Sequence, residues 1–252
     1  MSSATEPNDE RRQLGELLVL LAHDLKNPLA AVLTNLGFVA GVLRDLEAEQ
    51  DAASLDDSRE AIVDAKLACE SMQRFVSNLE LVAREATGRV SLAPTDPTPL
   101  DLVGLVDEVV GRQRETANGR RLRLIVRAEQ RVYARADREL VLRAADNVLA
   151  DAVQHAPAGS EVTIEVRAAS DAEARIEVRD GGPIVPPALR AVATTSAGQS
   201  LAKGRPELRY GRGIALHAAS LAASASGGRL EVGEADGRSA MGIVVPLHRE
   251  SP

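Results

Sequence analysis

Cysteine is nearly absent from this chain. With Cys69 alone among 252 residues, an intramolecular disulfide and a cysteine-rich zinc site are both excluded, and the composition suits a reducing compartment. Cys69 itself reads as a small helix-core residue. An excess of basic charge is missing too. Lys and Arg number 30 against 37 Asp and Glu, for a net charge of −7, which argues against a protein whose task is to neutralise nucleic-acid phosphates. There is no long apolar run. The most apolar stretch, Leu17 to Ala22, stops at His23 and Asp24, far short of the ~20 residues that span a bilayer. Met1 to Arg12 is polar and acidic rather than basic and then apolar, so it does not read as a signal peptide. Together these absences predict a cytoplasmic protein with no membrane span and no nucleic-acid partner.

What is present is a sizeable apolar fraction, 44%, enough for two domains with separate cores. From about residue 10 to 46 the apolar residues follow a heptad: Leu14, Leu18, Leu21, Leu25, Val32, Val39, Val42 and Leu46, with Pro28 and Asn35 as exceptions. An acidic stretch, Glu47 to Asp57, reads as a turn. A second helix follows, with Ile62, Ala65, Cys69, Met72, Val76, Leu79 and Val82 at steps of three and four. A hairpin of two amphipathic helices leaves an apolar stripe uncovered, and pairing two chains into a four-helix bundle covers it. Gly88 to Pro99, with its prolines, breaks the pattern. Residues 1–90 therefore form the predicted helical hairpin and 91–252 a second domain. In the latter we expect helices at Leu102 to Val110, Arg138 to His155 and Gly213 to Ala225. Strands are expected at Leu122 to Ala128, Val162 to Ala168, Ala174 to Arg179, Arg229 to Val232 and Met241 to Pro246. The mixture predicts a two-layer α/β sandwich with antiparallel strands. Pro186 to Tyr210, rich in small and polar residues, is too long for an ordinary connection and reads as a functional lid.

On the first helix His23 falls at a heptad position remote from the seam, where an imidazole is exposed. A lone surface histidine is usually only solvated, but its neighbours point to chemistry. Asp24 can orient the ring and keep one nitrogen unprotonated, as phosphoryl attack requires. Lys26 offers positive charge to a phosphate, Asn27 one turn on can orient a water, and Pro28 bends the helix. The stretch Leu21-Ala22-His23-Asp24-Leu25-Lys26-Asn27-Pro28-Leu29 resembles the phosphoacceptor box of the two-component histidine kinase family. The resemblance implies that His23 is phosphorylated, that Asp24 acts as base, and that Asn27 serves a phosphatase activity towards the response regulator.

In the second domain Asn147, Asp151 and His155 recur every four residues and share a helix face with Gln154, while Val141, Ala145, Val148 and Ala152 make the buried face. Two oxygen donors one turn apart can hold a magnesium ion, though a wet helix face has the same pattern. Asn147 to Pro157 resembles the N box of the family that includes histidine kinases, Hsp90-type chaperones and gyrase-type ATPases. Asp151 stands where that family has a metal-binding Asn, and Gln154 where many members have a phosphate-contacting Lys. Asp180-Gly181-Gly182-Pro183 is similar to the first glycine box, in which Asp180 accepts a hydrogen bond from the adenine amino group and Gly182 lets the backbone approach the ring. Ile184 replaces a second glycine, and a β-branched residue cannot readily take positive φ, so the turn must differ there. Gly211-Arg212-Gly213-Ile214-Ala215-Leu216 resembles the second glycine box, whose glycines free N–H groups for phosphate, with Ala215 in place of a third glycine. Lys203, Arg205 and Arg209 either reach the phosphates or are merely solvated.

The resemblance implies a homodimeric kinase that uses ATP and Mg²⁺, autophosphorylates His23, donates to a receiver domain and takes its input from a cytosolic sensory partner. The departures at Asp151, Gln154, Ile184 and Ala215 leave an alternative: a degenerate kinase acting as a histidine phosphotransfer or scaffold protein.

Overall fold

In the computed structural model the described residues are 25, 28–39, 41–42, 52–86, 99–128, 131–205, 208–209 and 214–248. The chain divides into two compact units, Met1–Asn78 and Leu79–Pro252. Of the expected turn Glu47 to Asp57, residues 52–57 are instead the opening turns of a long helix that begins at Ala52, where an acidic sequence near the N-terminal end is favourable to the helix dipole. The rest of that turn, and the boundary Gly88 to Pro99 up to residue 98, lie outside the described residues.

Helix α1 includes residues 28–39, and α2 is Ala52–Ala86. Along α1 the heptad residues Leu25, Val32 and Val39 are half-buried and Val42 is buried, whereas Leu29, Leu33, Leu36 and Phe38 are exposed, Leu33 at 62%. On α2 the buried residues are Ala61, Phe75, Asn78, Leu81 and Val82. Ile62 and Val76 of the expected stripe are exposed, and Cys69 is exposed rather than in a helix core. The apolar residues thus outnumber what one buried face of a single helix can hold.

The second unit is a two-layer sandwich. Its strands and helices are β1 (Pro99–Asp101), α3 (Leu102–Gly119), β2 (Arg123–Ala128), β3 (Tyr133–Arg135), α4 (Arg138–His155), β4 (Glu161–Ala168), β5 (Glu173–Asp180), α5 (Ser196–Ala202), α6 (Ala215–Ala225), β6 (Arg229–Ala235) and β7 (Arg238–Pro246). Five strands form one sheet in the order β2-β4-β5-β7-β6, and β1 pairs with β3 in a separate antiparallel ribbon. The sheet is mixed: β2 runs parallel to β4, with Leu124 opposite Val162, while the other pairs are antiparallel. This departs from the expected antiparallel sheet, because α4 and β3 lie between β2 and β4 in the chain and a long crossover permits a parallel return. Helices begin where the sequence supplies caps. Asp101 accepts from the N–H groups of Val103 and Gly104 at the start of α3, and Asp137 from those of Glu139 and Leu140 at α4, each such cap stabilising by ~1 kcal/mol. Pro157 follows the Ala156 cap and stops α4.

One face of the sheet carries Val162, Ile164, Ile176, Val178, Met241 and Ile243 into a core shared with Val141, Leu142, Val148 and Leu149 of α4 and Leu216 of α6. Each fully buried aliphatic side chain there stabilises the fold by roughly 1.5–3 kcal/mol. Gln113 of α3 donates to Asp146 of α4 across 2.8 Å, a buried polar bond that satisfies both.

The opposite face is roofed by charge. Arg175 and Arg179 of β5 both donate to Glu177 between them, and reach Glu231 on β6 and Glu165 on β4 respectively. Gly242 of β7 lies beneath Arg175: a Cβ there would come within 2.3 Å of its guanidinium. Burial alone would raise the Glu177 pKa, but hydrogen bonds from Arg179 and Arg175 outweigh it and hold the carboxyl below its ordinary 4.5. Glu231 is held below the same value, chiefly by its hydrogen bond from Arg175. A depressed folded-state pKa contributes stability above the unfolded value and loses it as pH falls through the folded one. Urea midpoints are therefore expected to be flat from neutrality to about pH 5 and to decline below ~4.5; an unchanged midpoint at about pH 3 would show that the network carries no net stability.

Candidate functional site

Helix α4 and the end of β5 build the site. Asn147 and Asp151, one turn apart on α4, are 1% and 2% exposed. They are buried, so the wet helix face is not what this pattern encodes. Gln154 and His155 are half-buried at the last turn. His155 Nε2 stands 3.6 Å from Asp151 Oδ1, an oxygen that has no hydrogen-bond partner.

Asp180 closes β5 and is 1% exposed. Its Oδ1 accepts from the Gly182 N–H at 2.7 Å, which tightens the turn after the strand. Among the described residues, positive φ outside glycine occurs at Arg121, Ile214 and Asp236. Ile184 is not one of them, so this turn is made without the left-handed residue that the missing glycine would have allowed. Gly182 is required for another reason. A Cβ there would lie 2.8 Å from the His155 carbonyl oxygen and 2.7 Å from Asp180 Oδ1, because the turn packs directly on the end of α4. Gly182→Ala is expected to destabilise the unit by about 1–3 kcal/mol, read as a lowered urea midpoint; an unchanged midpoint would mean that the turn relaxes freely.

The residue that joins these parts is Arg209. Its guanidinium is wholly buried between two carboxylates. Nε donates to Asp151 Oδ2 at 2.8 Å, while Nη1 and Nη2 form a fork on Asp180 Oδ1 and Oδ2 at 3.0 and 2.9 Å. Nη1 also donates to Ser239 Oγ at 2.7 Å, and Ser239 of β7 is the registered neighbour of Asp180. Burial pulls the Arg209 pKa down, but the charges of Asp151 and Asp180 and their hydrogen bonds outweigh that and raise it above its ordinary value. This arginine is neither in solvent nor free to reach a phosphate. Its partners lie 58 and 29 residues away in the chain, and no local pattern announces them.

The stretch Pro186 to Tyr210, expected to be a lid, contains a short 3₁₀ turn, Pro187–Leu189, and α5. Thr195 caps α5 by accepting from the Gly198 N–H, and His217 of α6 contacts the Thr194 carbonyl at 3.1 Å. Helix α6 is entered through Ile214, fully buried with φ 57° and ψ 27°. A β-branched residue in this region costs roughly 1–3 kcal/mol, a strain that its packing must outweigh. Lys203 is half-buried and Arg205 exposed. Gly211 and Gly213 lie outside the described residues, as do His23, Asp24, Lys26 and Asn27.

By residue type the site fits a magnesium nucleotide. Asn147 and Asp151 offer oxygens one turn apart, one of them unpartnered, and Asp180 offers an acceptor at a close backbone approach. As arranged it does not, because three of the four carboxylate oxygens serve Arg209.

Comparison with known proteins agrees with this architecture. Residues 136–249 match the family described as "Histidine kinase-, DNA gyrase B-, and HSP90-like ATPase", and this part of the chain has the helix-on-mixed-sheet fold of that domain. The sensor protein IrlS of Burkholderia pseudomallei is 33% identical over 162 residues, covering 64% of this chain and 32% of that protein. The adaptive-response sensory kinase SasA of Rippkaea orientalis is 25% identical over 173 residues, covering 67% and 42%. The chain thus spans less than half the length of these curated relatives. Among solved structures, a mycobacterial sensor histidine kinase MprB superposes with a TM-score of 0.52 at 23% identity, over 61% of this chain and 99% of that one; that likeness is one of fold. The chain is similar in sequence to the two sensor proteins IrlS and SasA over about two thirds of its own length. Among the described residues no helix is long and apolar enough to cross a membrane.

Proposed function

We propose that the chain is a histidine protein kinase of a two-component system, which phosphorylates His23 from ATP and passes the phosphoryl group to a receiver-domain aspartate of a response regulator. The observation that carries this reading is the convergence of Asp151 and Asp180 on one buried point, within an ATPase-type domain that follows the Leu21 to Leu29 box. Asp180 is assigned to the adenine amino group, with Gly182 allowing close approach. Asn147 and Asp151 are assigned to Mg²⁺, and Gln154, Gly211 and Gly213 to the phosphates. A bound magnesium nucleotide supplies the γ-phosphoryl group and neutralises its charge.

The chain's own residues supply the rest. A ring nitrogen of His23 forms the N–P bond as the P–O bond to ADP breaks. Asp24 accepts the hydrogen bond of the other ring N–H and so keeps the attacking nitrogen unprotonated. Lys26 offers charge to the phosphoryl oxygens, and Asn27 orients a water when the enzyme instead dephosphorylates its regulator. In the forward transfer an aspartate O–P bond forms and the N–P bond breaks.

In this reading residues 1–90 form the dimerisation and phosphoacceptor hairpin and 91–252 the catalytic domain. The exposed apolar residues Leu29, Leu33, Leu36, Phe38 and Ile62 support the pairing of two chains, since such a stripe is a cost to an isolated hairpin. A cytoplasmic location with a cytosolic sensory partner completes it. Incubation with γ-labelled ATP and Mg²⁺ tests the reading: acid-labile label on the protein supports it.

A second reading is favoured by the Arg209 contacts. If they are permanent, His23 receives its phosphoryl group from a phosphorylated receiver domain and the protein acts as a phosphotransfer or scaffold protein. Label arriving on His23 from such a receiver, with none from ATP, would select it.

A further inference from the structure

The contacts that hold the site together also fill it. Asp180 and Asp151 are the carboxylates assigned above to the adenine amino group and the metal, and one guanidinium bridges them. Nη1 and Nη2 lie across both Asp180 oxygens, and Oδ1 accepts the Gly182 N–H as well. An incoming amino group finds the carboxylate's forked face taken. A magnesium ion approaching Asp151 meets a fixed cation whose nitrogens lie 2.8 Å from Oδ2, and like charges at such range repel strongly in a buried site. The side chain itself fills the space between the carboxylates, since it is fully shielded from solvent.

The exchange is nevertheless balanced in kind. A guanidinium gives Asp151 a positive charge and Asp180 a planar pair of donors, and a magnesium nucleotide gives the first a cation and the second an amino donor. Either occupant relieves the two carboxylates of being buried unpaired. They cannot both be there.

We propose that Arg209 is an internal competitor for the nucleotide site: its guanidinium stands in for magnesium nucleotide between Asp151 and Asp180 and must leave before nucleotide binds. The inference rests on the assignment of those two carboxylates to nucleotide. The apparent affinity of the domain is then its intrinsic affinity reduced by the fraction of molecules in which Arg209 has left. Ser239 is part of the device, because its hydroxyl holds Nη1 in place from β7.

The test is calorimetric titration of ADP with Mg²⁺ into the full chain, as wild type, Ser239→Ala, Arg209→Lys and Arg209→Gln, with circular dichroism to confirm folding. Ser239→Ala keeps both ion pairs, and so the fold, while removing one hydrogen bond to a charged donor. It is expected to bind ADP about tenfold more tightly. Arg209→Lys keeps a charge but loses the fork, and is expected to gain at least as much. Arg209→Gln, where it folds, gains most. The proposal is overturned if Ser239→Ala and Arg209→Lys bind ADP no more tightly than wild type, or if neither they nor the wild type bind it at all. Labelling of His23 from ATP is read on the same samples. Tighter ADP binding without label leaves the competitor standing and removes the kinase reading; label on His23 with unchanged affinities does the reverse.

Discussion

His23→Gln is expected to abolish acid-labile labelling when the protein is incubated with γ-labelled ATP and Mg²⁺, while the wild type takes up label. Glutamine approximates the reach and polarity of histidine, so the substitution should leave the fold intact. Its amide nitrogen, however, is conjugated to the carbonyl and has no free lone pair with which to form an N–P bond. The loss should be complete rather than partial, because the neighbours Asp24, Lys26 and Asn27 orient or assist a nucleophile and provide none themselves. Binding of ADP should be the same in both proteins, since the residues assigned to nucleotide all belong to the second unit, Leu79–Pro252. Label persisting on the variant would place the phosphoacceptor elsewhere, and label on neither would turn the reading towards phosphotransfer from a receiver domain.

Arg209→Met is expected to lower the stability of the second unit by roughly 3–5 kcal/mol, the cost of leaving partners of a buried ion pair uncompensated. The methionine has similar length, so the loss is one of charge more than volume. Asp151 and Asp180 would face each other across it, both at most 2% exposed, without the cation that links them. In thermal melts this amounts to a fall of roughly 10 °C for a unit of this size. A triple variant, Asp151→Asn with Asp180→Asn and Arg209→Met, should recover most of that loss, because a buried network replaced by neutral groups can be nearly neutral in stability where a broken one is not. If Arg209→Met alone melts with the wild type, the two carboxylates are solvated in solution and the network does not hold the fold.

Much of this architecture was legible in the sequence. The limits of α4 are those expected, Arg138–His155, because Asp137 caps one end, Pro157 ends the other, and the apolar period between them is unbroken. Asn147 and Asp151 were singled out by their spacing and Asp180 by the resemblance of its turn to a glycine box, and their burial is what the structure adds. Other features had no local signal. The strands β1 and β3 are three residues each, too short for alternation to register. Helix α3 runs on to Gly119, beyond the apolar period that ends at Val110, because Gln113 is drawn in by Asp146 of α4. The parallel pairing of β2 with β4 is decided by the sheet as a whole. Arg209 was visible only as one of several basic residues in a small, polar stretch. Its importance arises from carboxylates distant in sequence, and charge alone could not distinguish it from Arg205.

The charged roof of the sheet has a consequence for how the fold meets its solvent. Val244 and Ala240 lie on that side of β7, opposite Arg175 and Arg179 of β5, and are 1% and 5% exposed. Their cover is a lattice of guanidinium and carboxylate groups whose aliphatic stems lie over the apolar surface. Such a layer holds by attraction between partly solvated ions, and mobile ions weaken that attraction. The helix-covered side of the same sheet is held by burial and is indifferent to mobile ions at ordinary concentrations. One sheet therefore has two faces of different character, and the roofed one is where ionic strength acts on this fold.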